Sequence, residues 1–241
     1  MTDPRFVRTR MAALASLSVI CALAPAPLLA QNGRPDAKRG AEIAAQGTPN
    51  GAPACVSCHD VNGNPDGSGT FPRLFGLPAA YIAKQIGDYK NKTRVNGIMA
   101  PVADKLSAQD IADVAAYYAV AKQPFPKTDR PDRAVLETGQ ILAVHGNEAK
   151  KVPACNNCHG PGGAGEPPAL PPLAGQFAPY IVAQLQAWQR GERKNDNGAQ
   201  MSASVRNLDD ADIRAVAAYY QQVVRTMAQN GVQNGKPAGK P

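Results

Sequence analysis

The chain repeats itself, and the repeat dictates two similar folded units in tandem. Cys55-Val56-Ser57-Cys58-His59 returns as Cys155-Asn156-Asn157-Cys158-His159, one hundred residues later. The likeness continues past the motif: Leu74, Gly76, Tyr81, Ile82, Gln85 and Arg94 correspond to Leu173, Gly175, Tyr180, Ile181, Gln184 and Arg193. Leu106-Ser-Ala-Gln-Asp-Ile-Ala-Asp-Val-Ala-Ala-Tyr-Tyr118 then pairs with Leu208-Asp-Asp-Ala-Asp-Ile-Arg-Ala-Val-Ala-Ala-Tyr-Tyr220, identical at eight of thirteen positions. Solenoid units span about 20–50 residues, so so long a period marks a duplicated domain. The stretch Gln123-Pro-Phe-Pro-Lys-Thr-Asp-Arg-Pro131 cannot continue a helix. The first domain is therefore expected over 34–123, a linker over 124–131 and the second domain over 132–228. Residues 229–241, rich in Gly, Asn, Lys and Pro without periodicity, read as a flexible tail.

Residues 1–30 read as a cleaved export signal. Arg5, Arg8 and Arg10 precede an apolar run from Met11 to Ala24, and Leu28-Leu29-Ala30 offers a cut before Gln31. Pro25 and Pro27 interrupt the run before it reaches the ~20 apolar residues of a membrane span. Cys21 leaves with this segment, and Ile20 before it is not the small residue a lipoprotein wants. The mature chain is expected in a bacterial periplasm. The signal carries two of the seven net positive charges, since its three arginines are offset by Asp3. What remains is mildly basic, with no Gly-rich phosphate loop and no aromatic-basic interleaving, so nucleic acid is excluded as a partner.

Both domains read as helical. Ala37–Gln46 and Val135–His145 end at Gly47 and Gly146, residues suited to helix C-termini. Ala79 to Asn91 and Pro179 to Arg190 carry apolar residues at helical spacing. The last helix of each domain starts after Ser107 or Asp209, with Asp110 or Asp212 three residues on. Its stripe Ile111, Val114, Ala115, Tyr118 returns as Ile213, Val216, Ala217, Tyr220. With no alternating strand pattern, the fold class is all-α.

Cys-x-x-Cys-His is the attachment signature of c-type haem. Two thiols about one helical turn apart add to the two vinyl groups on one porphyrin edge, and the next histidine ligates iron. Structural zinc wants four protein ligands, and each motif offers three. A thioredoxin-like dithiol needs a βαβ context that is absent. Covalent haem also suits an aromatic content of only 5%, because the macrocycle replaces much of a small core.

The duplication also selects a sixth ligand. Met1 and Met11 belong to the signal, and Met227 has no counterpart in the first domain. Met99 and Met201 are equivalent, 40 and 42 residues after His59 and His159. A lone methionine fills core gaps; a matched pair beside Cys and His fits the His/Met ligand set of haem iron. His145, whose counterpart is Gln46, reads as a surface or capping residue. Each proximal imidazole needs an acceptor for its other nitrogen, and the backbone carbonyls of Pro72 and Pro171, with Pro172 close behind, are the candidates. Tyr81 and Tyr180, Tyr89 and Trp188, and Arg94 and Arg193 recur in register. They either bond haem propionates or are ordinary packing and solvated charge.

With these residues in hand the chain resembles the dihaem cytochrome c4 family: tandem class I cytochrome c domains, each with Cys-x-x-Cys-His, a later methionine and a closing Ala-Ala-Tyr-Tyr helix. The resemblance covers nearly all of 34–228. It implies one haem on Cys55, Cys58, His59 and Met99 and a second on Cys155, Cys158, His159 and Met201. It further implies a periplasmic one-electron carrier, often at the membrane face, running from a quinol-oxidising complex or a dehydrogenase toward a terminal oxidase. Two six-coordinate irons keep their ligands in both oxidation states, which suits a carrier rather than an enzyme. The alternatives are the cytochrome subunit of a larger dehydrogenase, or a dihaem oxidoreductase or peroxidase with one open haem.

Overall fold

Asp36 accepts from the backbone N–H groups of Lys38 and Arg39 and so opens the first helix, which ends at Gly47 in a left-handed turn with φ 80°. This computed structural model describes residues 33–59, 68–125 and 128–229, with the side chains of 224–229 not described. The expected export signal with Cys21, most of the tail, the side chain of Met227 and linker residues 126 and 127 lie outside the described residues.

The first half contains α1 (Ala37–Gln46), α2 (Ala79–Lys90), α3 (Met99–Asp104) and α4 (Ala108–Val120). The second contains α5 (Arg133–Val144), α6 (Asn156–His159), α7 (Ala178–Gln189), α8 (Gln200–Val205) and α9 (Asp210–Gln229). Among the described residues no strand forms, only isolated bridges such as Arg94 with Arg193. The helices expected from periodicity are present with ends shifted by a residue or two. The short α3 and α8 were not legible from periodicity, because a single turn and a half carries no recurring stripe. Helix α9 runs through Gln229, one residue into the expected tail; the next glycine, Gly231, is the first strong breaker.

In each half the first helix crosses the last at a glycine. A Cβ on Gly40 of α1 would stand 2.0 Å from the Asp113 carbonyl oxygen of α4. A Cβ on Gly139 of α5 would stand 2.1 Å from that of Ala215 on α9. Only a residue without a side chain lets the backbones approach so closely. The closing helices start in reciprocal caps. Asp110 N–H donates to Ser107 Oγ at 3.1 Å while the Asp110 carboxylate accepts from Ser107 N–H at 2.9 Å. Asp212 N–H donates to Asp209 at 2.9 Å, and the Asp212 carboxylate accepts from Asp209 N–H at 3.2 Å.

Two cores result. Ile43, Phe75, Ile82, Leu106, Val114 and Tyr118 gather in the first half. Leu142, Ile181, Leu185, Ile213, Val216 and Tyr220 gather in the second. Among the described residues both halves lie within one compact unit.

Candidate functional site

Cys55 opens a short 3-10 turn (Cys55–Ser57), and Cys155 stands at the start of α6. In both turns the histidine N–H donates back to the first cysteine carbonyl, at 2.8 Å for His59 and 3.0 Å for His159. That bond points both imidazoles inward, where each is 7% exposed. Cys55 and Met99 lie against the first core, Cys155 and Met201 against the second. Cys58 is half-buried and Cys158 exposed, and no disulfide joins the four cysteines.

Nδ1 of His59 lies 2.9 Å from the Pro72 carbonyl oxygen, and Nδ1 of His159 lies 2.9 Å from that of Pro171. These are the acceptors the repeat register points to; Pro172 is not used. A carbonyl only accepts, so the proton sits on Nδ1 and Nε2 keeps its lone pair. Burial holds both imidazoles below the ordinary histidine range, against the pull of the proline carbonyls, so both are neutral. Burial likewise pushes the Cys55 and Cys155 thiols up. His145 caps α5 and is exposed.

The methionines stand on short helices set by side-chain caps. Asn96 accepts from the Ile98 and Met99 N–H groups at 3.0 and 2.8 Å and so opens α3. Asp196 accepts from the Ser202 N–H at 3.1 Å in the first turn of α8.

Both methionine segments emerge from a polar seam between the halves, whose hydrogen bonds are reciprocal. The Arg94 guanidinium donates to Gln85 at 2.9 Å in its own half, and to Gln184 at 2.6 Å and the Tyr180 hydroxyl at 3.0 Å in the other. Arg193 mirrors it, donating to Gln184 at 2.8 Å and across to Gln85 at 3.1 Å and Tyr81 at 3.4 Å. Arg94 lies over the Tyr89 ring at 4.7 Å and Arg193 over the Trp188 ring at 3.9 Å. The arginines are thus not solvated charges but buried ones, 4% and 6% exposed. The sequence repeats Gln85 and Gln184 without marking their role; a polar pair recurring on an otherwise apolar helical face was the available signal.

Among the described residues neither Arg94 nor Arg193 is paired with a carboxylate. Two buried cations with neutral acceptors only are an unfinished arrangement. The indole Nε1–H of Trp188 is also buried without a partner, beside the core that holds Cys155 and Met201. Both features fit a bound group that brings anionic acceptors to the seam, as the carboxylates of a haem do. The Cys, His and Met side chains on each core fit its iron and its attachment.

The family described as Cytochrome c matches residues 37–119 and 145–223, one match per half. The chain belongs to the dihaem cytochrome c4-like family. It is 38% identical over 185 residues to a thiosulfate dehydrogenase electron acceptor of Stutzerimonas stutzeri (strain A1501), covering 76% of this chain and 86% of that one. It is 35% identical over 181 residues to the cytochrome c4 of Azotobacter vinelandii, covering 70% and 84%. Among solved structures it is similar to thiosulfate dehydrogenase (TsdBA) from Marichromatium purpuratum, with TM-score 0.70 and 39% identity. That match covers 76% of this chain and 39% of the other. This cytochrome c4-like protein therefore carries covalently bound c-type haems and works as an electron carrier with redox partners.

Proposed function

We propose that this chain is exported to a bacterial periplasm and there passes single electrons from a dehydrogenase or a quinol-oxidising complex toward a terminal oxidase. The first haem is held by Cys55 and Cys58, with His59 and Met99 as iron ligands. The second is held by Cys155 and Cys158, with His159 and Met201. Each haem supplies one reversible electron, and the protein keeps the change small. The proline carbonyls fix each imidazole, the capped helices present each methionine, and the shared seam holds the two halves in one body.

The observation that carries this reading is the pair of neutral, oriented imidazoles, each with a methionine on the same core and both in one compact unit. Among donors, thiosulfate dehydrogenase comes first, because the relative sharing 86% of its length with this chain is named as that enzyme's electron acceptor. Stopped-flow mixing of oxidised, mature holoprotein with thiosulfate dehydrogenase and thiosulfate should reduce two haems per chain, faster than quinol and a quinol-oxidising complex do. Reduction by the quinol complex alone moves the donor assignment there. Reduction by neither, together with turnover of peroxide, overturns the carrier reading.

The match to 39% of the TsdBA chain favours a second reading, in which this protein is a firmly held subunit of a dehydrogenase. Copurification of the tagged protein with a catalytic subunit through a salt wash distinguishes the two.

A further inference from the structure

The two proximal hydrogen bonds have the same length and different construction. In the first half, the carbonyl that accepts from His59 belongs to the peptide group joining Pro72 to Arg73. The N–H of that same group donates to Gln176 Oε1, across the seam, at 2.8 Å. Gln176 Nε2 donates back to the Arg73 carbonyl at 3.1 Å, so one side chain of the second half grips both faces of Arg73. Both residues are buried. The Arg73 guanidinium anchors the other side, donating to the Pro124 and Gln123 carbonyls at 3.0 and 2.5 Å and lying 4.2 Å from the Phe125 ring.

A peptide group is planar, so holding its N–H aims its C=O. An acceptor on the N–H also polarises the amide and strengthens the carbonyl as an acceptor in turn. The second half cannot do this. Its acceptor belongs to the peptide group joining Pro171 to Pro172, whose nitrogen carries no hydrogen. In the repeat register Leu77 stands where Gln176 would be needed.

We propose that Gln176 is a positioning residue for the first haem site. Sitting in the second half, it sets the strength of the His59–Pro72 hydrogen bond and so makes the reduction of the first haem depend on how the halves meet. The second haem has no such dependence. A strong bond from Nδ1–H makes the imidazole more basic, which favours ferric iron. Releasing the clamp therefore favours the ferrous state at the first site alone. The inference rests on His59 as an iron ligand.

The test uses mature holoprotein carrying Gln176→Met, which keeps the shape and removes both bonds to Arg73 together with the one Oε1 accepts from Phe177 N–H at 3.1 Å, with Gln176→Leu as a second variant should the first assemble poorly. Two quantities are read: solvent exchange of the ring Nδ1–H protons of His59 and His159 in the ferrous protein, and the two steps of a reduction titration, assigned with Met201→Ala. The expected result is about tenfold faster exchange at His59 with His159 unchanged. The first-site step should rise about three- to tenfold in its reduction equilibrium constant, a tenfold rise being about 59 mV for one electron. Both steps moving together, or neither step and neither proton changing, overturns the proposal. A wild-type His59 ring proton that shows no haem ring-current shift sinks the ligation instead, whatever Gln176 does.

Discussion

In the first half the last-helix cap Asp110 and its neighbour Asp113 are both bound by Arg39 of α1, so one guanidinium ties the two crossing helices together. In the second half Asp209 and Asp212, the counterparts of Ser107 and Asp110, are bound by Lys150, which lies in the loop ahead of the Cys155 motif. Near the motif the contrast runs the other way. Tyr220 donates its hydroxyl to Asn156 at 2.9 Å, inside the second Cys-x-x-Cys-His. In the first half Val56 stands at that register and offers Tyr118 no side-chain acceptor, so its hydroxyl lies against the Cys55 sulfur. The halves share a backbone plan and have exchanged which parts are pinned: helix to helix in the first, closing helix to haem-binding turn in the second. Duplication preserves shape where packing demands it, and lets polar ties drift wherever another tie can replace them.

The comparison breaks most completely at the iron. Met201→Ala should open the second haem to carbon monoxide and leave the first closed, read from the difference spectrum; carbon monoxide binding by the wild type at both haems would contradict the ligand assignment. Next in size, Gly40→Ala and Gly139→Ala should each cost about 1–3 kcal/mol through overpacking at the crossing, with lowered thermal midpoints and haem yield. If only one of the pair is destabilising, the two crossings are less alike than their glycines suggest.

Arg39→Gln should destabilise the first half by about 1 kcal/mol, discounted because the arginine is partly exposed. Lys150→Gln should do less. The same contrast governs acid. Burial pushes the Asp110 and Asp113 carboxyls up, but bonds from Ser107 and from the Asp36 backbone, with Arg39, more than offset it and hold both below the ordinary range. A lowered folded value stabilises above the unfolded value, near ~4, and the contribution is lost as pH falls through the folded value. Amide exchange followed from pH 6 to 3, both rough limits around that range, should show the α1–α4 crossing loosening first, and Arg39→Gln should weaken that pH dependence. The smallest effect is at the tyrosines. Tyr220→Phe should cost about 1 kcal/mol and Tyr118→Phe less, by denaturant unfolding.

Much of this was legible without a structure, for one physical reason. A repeated residue reports a repeated environment. Cys55, His59, Met99 and their partners recur in register, as do the cap positions and the closing helices, and local rules for caps and apolar stripes place those elements. Even the proline acceptors followed from the motif, because an imidazole held by the adjacent turn has little else within reach. The short helices that carry the methionines did not show, being too brief for periodicity and fixed by Asn96 and Asp196 side chains.

What the sequence by itself determined is the pair of all-α cytochrome c domains and the recurrence of Cys, His and Met in each. What only the tertiary structure decided is the seam: that Arg94 and Arg193 are buried against each other's halves, and that Gln176 reaches Arg73 across 103 positions of chain. Gln176 has only Leu77 at its position in the first half and no motif around it. Its partner is a backbone amide, which every residue but proline provides, so nothing in the sequence distinguishes the one it finds until the halves are docked.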